Sequence, residues 1–102
     1  MATTKEERDY IEERLQCLGD LLVRPMMGEY LLYHNNVLFG GIYDGRVLIK
    51  IVDENKTYGL QEEIPYKGAK SMFMLEDLED EEKIKEIIYT TCRALPVKKK
   101  KK

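Results

Sequence analysis

The chain has 102 residues, 43% of them apolar and 35% charged, which describes one domain with a modest core and excludes a second domain or bulk disorder. Its net charge of −2 hides an asymmetry: removing the five C-terminal lysines from the 17 basic residues leaves 12 against 19 acids, a body of about −7. Such a body is repelled by a nucleic-acid duplex, and no apolar run approaches the roughly 20 residues of a membrane-spanning helix.

The first element is a helix over about residues 4–18. Ile11, Leu15 and Leu18 recur at helical spacing behind a capping candidate at Thr3-Thr4, acids follow at the positive helix end, and Gly19 stops the helix. A charged helix here, rather than a secretory signal, makes the cytoplasm the expected location. From Leu21 to Val52 the period changes and β-favouring residues cluster at Leu21–Arg24, Tyr30–Tyr33, Val37–Phe39 and Val47–Ile51. His34-Asn35-Asn36 and Asp44-Gly45 supply turns between them, because Asn, Asp and Gly tolerate the left-handed backbone of tight hairpins.

A short second helix starts at Asp53-Glu54-Asn55-Lys56, with Asp53 or Asn55 as cap, and is over by Ile64-Pro65. Ser71–Leu75 reads as a last strand. The acidic run Glu76–Glu82 then enters a helix carrying Ile84, Ile87, Ile88, Thr91, Cys92 and Leu95, which Pro96 ends. The sum is an α+β fold, an antiparallel β-sheet flanked by N- and C-terminal helices, with residues 1–96 as the domain and 97–102 as a disordered basic lysine tail.

Gly40-Gly41-Ile42-Tyr43-Asp44-Gly45 has neither the spacing of a dinucleotide loop nor the helix that must follow one. The better reading is structural. Gly45 takes the positive φ of a turn, while Gly40-Gly41 relieves crowding where a strand bulges or another side chain crosses the sheet.

Arg24-Pro25-Met26-Met27-Gly28-Glu29-Tyr30, then Tyr33, then the run from Val37 to Lys50 containing Asp44-Gly45, resembles the TfoX N-terminal domain family, as do Pro65-Tyr66 and the strand around Met72. The resemblance covers roughly residues 5–95. It implies a secretion-chaperone-like fold, sometimes dimeric, in a stand-alone N-terminal domain. It also implies a role in competence and transcriptional regulation exerted through a partner protein.

Groups for catalysis are scarce. The single histidine, His34, reads as a solvated turn residue; Ser71, the single serine, has no nucleophile motif around it; Cys17 and Cys92 read as reduced, semi-buried helix residues, with a disulfide between packed terminal helices as the lesser alternative. The acids 76–82 lack the spacing and central glycine of a calcium loop and suit a helix N-terminus instead. No catalytic residue, cofactor or metal ligand is assigned.

The candidates for an interaction surface are Arg24, Tyr30, Tyr33, Tyr43, Arg46, Lys50 and Tyr66. Arg24, Arg46 and Lys50 match basic positions implied by the resemblance, and Arg46 and Lys50 share a strand face. They form either a small cationic patch for an acidic partner or solvent-face charges paired with the many acids, the plainer reading. The tyrosines, Tyr58 among them, suit a half-buried sheet and equally a protein-binding face. The expected protein is a non-enzymatic interaction module with a protein partner or a second copy of itself. The alternatives are a weak nucleic-acid binder using the lysine tail with Arg24, Arg46 and Lys50, and a small-ligand site.

Overall fold

The structure is a computed structural model that describes residues 3–95; Pro96 and the lysine tail 97–102 lie outside the described residues. Helix α1 (Lys5–Leu15) begins at Thr4, whose hydroxyl accepts from the Glu7 amide at 3.1 Å while the Glu7 carboxylate accepts from the Thr4 amide at 2.9 Å. Two of the otherwise free amides of the first turn are thereby satisfied. The helix tightens into a 3₁₀ turn over Gln16–Leu18 and stops at Gly19, whose φ is +74°.

Six strands follow: β1 (Leu21–Met26), β2 (Glu29–His34), β3 (Val37–Tyr43), β4 (Arg46–Ile49), β5 (Gln61–Glu63) and β6 (Met72–Met74). They make one antiparallel sheet in the order β1-β2-β3-β4-β6-β5. Two-residue turns join the first four. Asn35 and Asn36 have φ of 51° and 67°, and Asp44 and Gly45 have 55° and 75°, the paired positive values that match the twist of a hairpin. The turn at Met27-Gly28 works the same way and extends β1 through Pro25. Proline is tolerated there because β1 is a sheet edge.

The second helix expected from Asp53 is a 3₁₀ segment, Asp53–Tyr58, closed by Gly59 at φ +68°. Beyond it β5 forms from Gln61-Glu62-Glu63, a polar triplet whose extended state comes from pairing with β6 rather than from its own pattern. Helix α2 (Glu81–Arg93) is capped by Asp80, which accepts from the Lys83 amide at 3.2 Å, so the acidic run does serve a helix start.

Both helices lie against one face of the sheet. Ile11 and Leu15 of α1 and Ile84, Ile87 and Ile88 of α2 pack with Leu32, Phe39, Ile42, Val47, Ile49 and Phe73, all at most 5% exposed. One β-bulge makes that core continuous: Leu32 pairs with Gly40 but Tyr33 with Leu38, so Phe39 is the extra residue on β3. Without it, Phe39 and Ile42 would point to opposite faces. At Gly40 an added Cβ would lie 2.1 Å from the Leu48 carbonyl oxygen and 2.8 Å from Ile49 Cα, so the neighbouring backbone leaves no room for a side chain.

One polar knot sits inside the core. Asn55 and Thr91 are both fully buried; the Asn55 amide donates to the Lys50 carbonyl at 2.9 Å and to Thr91 Oγ1 at 2.8 Å, and its oxygen accepts from the Val52 amide at 3.1 Å. Thr91 in turn donates to the Ile87 carbonyl at 2.8 Å, so the crossover after β4 is tied to α2 with every group answered. Among the described residues, no helix is long and apolar enough to cross a membrane.

Candidate functional site

Strand alternation sends one set of side chains to the helices and the other to the opposite, helix-free face. On that free face β1 places Leu22 and Arg24, paired with Tyr33 and Leu31 of β2; β4 places Arg46 and Leu48, with Lys50 just past its end; and β6 places Met72 and Met74. Leu22 is 47% and Met26 39% exposed, and Met27 at the adjoining turn is 95% exposed.

Tyr43, Lys50 and Tyr66, far apart in the chain, come together here. The loop between β5 and β6 folds back so that the Tyr66 ring sits 6.1 Å from the Tyr43 ring, tilted by 55°. With Lys70, Ser71 and Met72 they line an open cleft of about 580 Å³. The Tyr43 ring lies across Gly41, where an added Cβ would approach Tyr43 Cε2 to 2.8 Å. Tyr43 is 7% exposed, and burial first, then Tyr66 and Glu29, push its phenol above the ordinary range, so it remains a neutral hydroxyl.

The cations divide into paired and unpaired. Arg46 donates through Nε to the Tyr43 carbonyl at 3.2 Å and meets Glu63 at 3.4 Å, which makes it a brace between β4 and the edge strand. Arg24, Lys50 and Lys70 have no carboxylate within 4.0 Å among the described residues. On a body that is acidic overall, the free face therefore carries uncompensated positive charge beside exposed apolar side chains.

Two tyrosines belong elsewhere. Tyr30 is on the helix side, under Arg8, whose guanidinium carbon is 5.6 Å from the ring centroid. Tyr58 bonds Glu86 at 3.1 Å and Thr90 at 3.2 Å and pins the 3₁₀ segment to α2. Tyr33 stays on the free face, half buried between Leu22 and Leu38.

His34 corrects the sequence reading. Expected as a solvated turn residue, it is the last residue of β2 and only 8% exposed. The alternation that turns Leu32 inward also turns His34 inward, where its ring stacks on Tyr89 at 5.2 Å. Asn35-Asn36 signal a turn, and β2 runs one residue further into that signal than its pattern suggests. Lys70 and Ser71 were missed as cleft residues because only the folded loop brings them to Tyr43.

The two cysteines are free thiols. Burial pushes Cys92 up to about 11 and raises Cys17 as well, so both are protonated near neutral pH and are poor nucleophiles. Among the described residues, no group of three or more His, Cys, Asp or Glu side chains is placed to hold a metal ion.

No family model matches the chain, and no solved structure matches it. It is similar to the "Uncharacterized 12.7 kDa protein in trpE 5'region" of Spirochaeta aurantia, with 34% identity over 83 residues covering 78% of this chain and 72% of the relative. By that identity and coverage, the chain belongs to the same family as the 12.7 kDa spirochaete protein.

Proposed function

We propose that this domain is a non-enzymatic, cytoplasmic protein-interaction module whose helix-free sheet face docks an acidic, partly apolar segment of a protein partner. Uncompensated Lys50 and Lys70 beside the paired rings of Tyr43 and Tyr66, on a chain otherwise rich in acids, are the observation that carries this reading. Lysines at the cleft attract carboxylates, tyrosines offer area at low entropy cost, and Leu22, Met26 and Tyr33 extend the apolar contact toward β1. The resemblance to the TfoX N-terminal domain fits this role: regulation of transcription or competence would run through the partner, not through duplex contact.

The test is titration of the ¹⁵N-labelled chain with a short peptide of alternating Glu and Leu at low salt. Saturable shifts centred on Tyr43, Lys50, Tyr66 and Lys70 are expected, weakened at least about tenfold in a Lys50→Glu, Lys70→Glu double variant. Shifts scattered elsewhere, or none, would overturn the reading, as would duplex DNA binding that survives removal of residues 97–102. Light scattering on the same samples reports whether a second copy occupies the face; a dimer dispersed by Leu22→Ser with Met26→Ser would make the partner the chain itself.

A further inference from the structure

On the helix side, beyond the end of the core, an open cleft of about 550 Å³ lies between the first 3₁₀ turn, the β2–β3 turn and the last turns of α2. Leu18, Val37, Tyr89 and Cys92 make it apolar, and Asp20, Asn35 and Arg93 supply its polar groups. Its volume falls in the range of small-molecule sites. None of its residues takes part in the Tyr43 cleft.

Three features point to a ligand. First, His34 lines the cleft at 8% exposure, and its Nδ1 is buried without a hydrogen-bond partner among the described residues. The other ring nitrogen, Nε2, is 3.2 Å from the Asn35 side-chain nitrogen. With that amide donating, the imidazole proton sits on Nδ1, a buried donor with nothing to receive it. Native interiors rarely leave such a group unanswered.

Second, the Tyr89 ring is held in place, because its hydroxyl donates to the Leu18 carbonyl at 3.0 Å while its face stacks on His34 at 5.2 Å. Third, two opposite charges meet the cleft without partners: among the described residues neither Asp20 nor Arg93 has an ion pair within 4.0 Å, and Arg93 makes only a 3.4 Å bond to Thr90 Oγ1.

A simple anion would be opposed by Asp20 and a simple cation by Arg93; a molecule carrying both charges satisfies both. We propose that this cleft binds a small zwitterion with an apolar body, the chemical class of a free amino acid. Arg93 receives the carboxylate, Asp20 receives the ammonium, and the side chain lies against Tyr89, Leu18 and Val37 beside the His34 ring.

The probes are L-phenylalanine, 3-phenylpropionate, which lacks the ammonium, and 2-phenylethylamine, which lacks the carboxylate. Each is titrated into the full 102-residue chain and followed by NMR. L-phenylalanine is expected to give saturable shifts at Asp20, His34, Tyr89 and Arg93, with each single-charge probe at least about tenfold weaker. Arg93→Gln should weaken L-phenylalanine and 3-phenylpropionate but spare 2-phenylethylamine, and Asp20→Asn should weaken L-phenylalanine and 2-phenylethylamine but spare 3-phenylpropionate. Both positions are exposed, so the variants are expected to fold. Equal affinity for all three probes, shifts away from this cleft, or no saturation by roughly 10 mM would overturn the proposal.

Discussion

On the helix-covered side of the sheet Leu32, Phe39, Ile42 and Ile49 are fully buried against α1 and α2, whereas on the other side Leu22 is 47%, Met26 39% and Tyr66 60% exposed. Successive residues of one strand alternate between the two faces, as Leu32 and Tyr33 do on β2, so neither propensity nor composition distinguishes the two sides. The difference is in what covers each face. Both helices go to one side, and on the other the loop that carries Tyr66 folds over Tyr43. The helix-covered side holds the main core, and the open side, apart from the buried Leu48 and Tyr43, is left with half-exposed and exposed side chains.

That division can be broken hardest at Gly40. A methyl group there would collide with the backbone of β4 at Leu48 and Ile49, so Gly40→Ala should cost about 3 kcal/mol or more, or prevent folding, as read by urea unfolding. A loss below about 1 kcal/mol would mean that the bulge adjusts and that the register argument is wrong.

Asn55→Ala is next. It strands the Val52 amide, the Lys50 carbonyl and part of Thr91 inside the core, and a loss of about 2–3 kcal/mol is expected. A double-mutant cycle with Thr91→Val should show coupling between the two positions, because they share one hydrogen bond.

At the small end, Leu22→Ser and Met26→Ser should each shift stability by no more than about 0.5 kcal/mol, since neither side chain is packed beneath a helix. A clearly larger loss would show that the free face contributes to the fold and would take away its freedom to serve as a docking surface.

Most of this architecture was legible in the chain. Thr4 with Glu7, the spacing of Ile84, Ile87 and Ile88, and the Asn35-Asn36 and Asp44-Gly45 turns are local signals, and local backbone chemistry decides them. Gly40-Gly41 also announced a bulge or a crossing side chain, and the fold contains both: the bulge at Phe39 and the Tyr43 ring over Gly41. β5 was not legible, because Gln61-Glu62-Glu63 has no apolar alternation and becomes a strand only when β6 offers its edge.

The two clefts divide in the same way. Tyr43, Lys50 and Tyr66 could each be named from the sequence, but their meeting depends on a loop closing over the sheet. His34 could be placed only when β2 ran one residue further than its turn signal suggested and Tyr89 arrived on α2 to stack against it. The sequence by itself determined the two terminal helices, the first four strands, the Asn35-Asn36 and Asp44-Gly45 turns and the buried stripe of each helix, because these follow from interactions within a few residues. Which sheet face the helices left open, which cations lacked a partner and which polar nitrogen was sealed without one were decided by tertiary structure, because each depends on groups distant in the chain arriving at the same place.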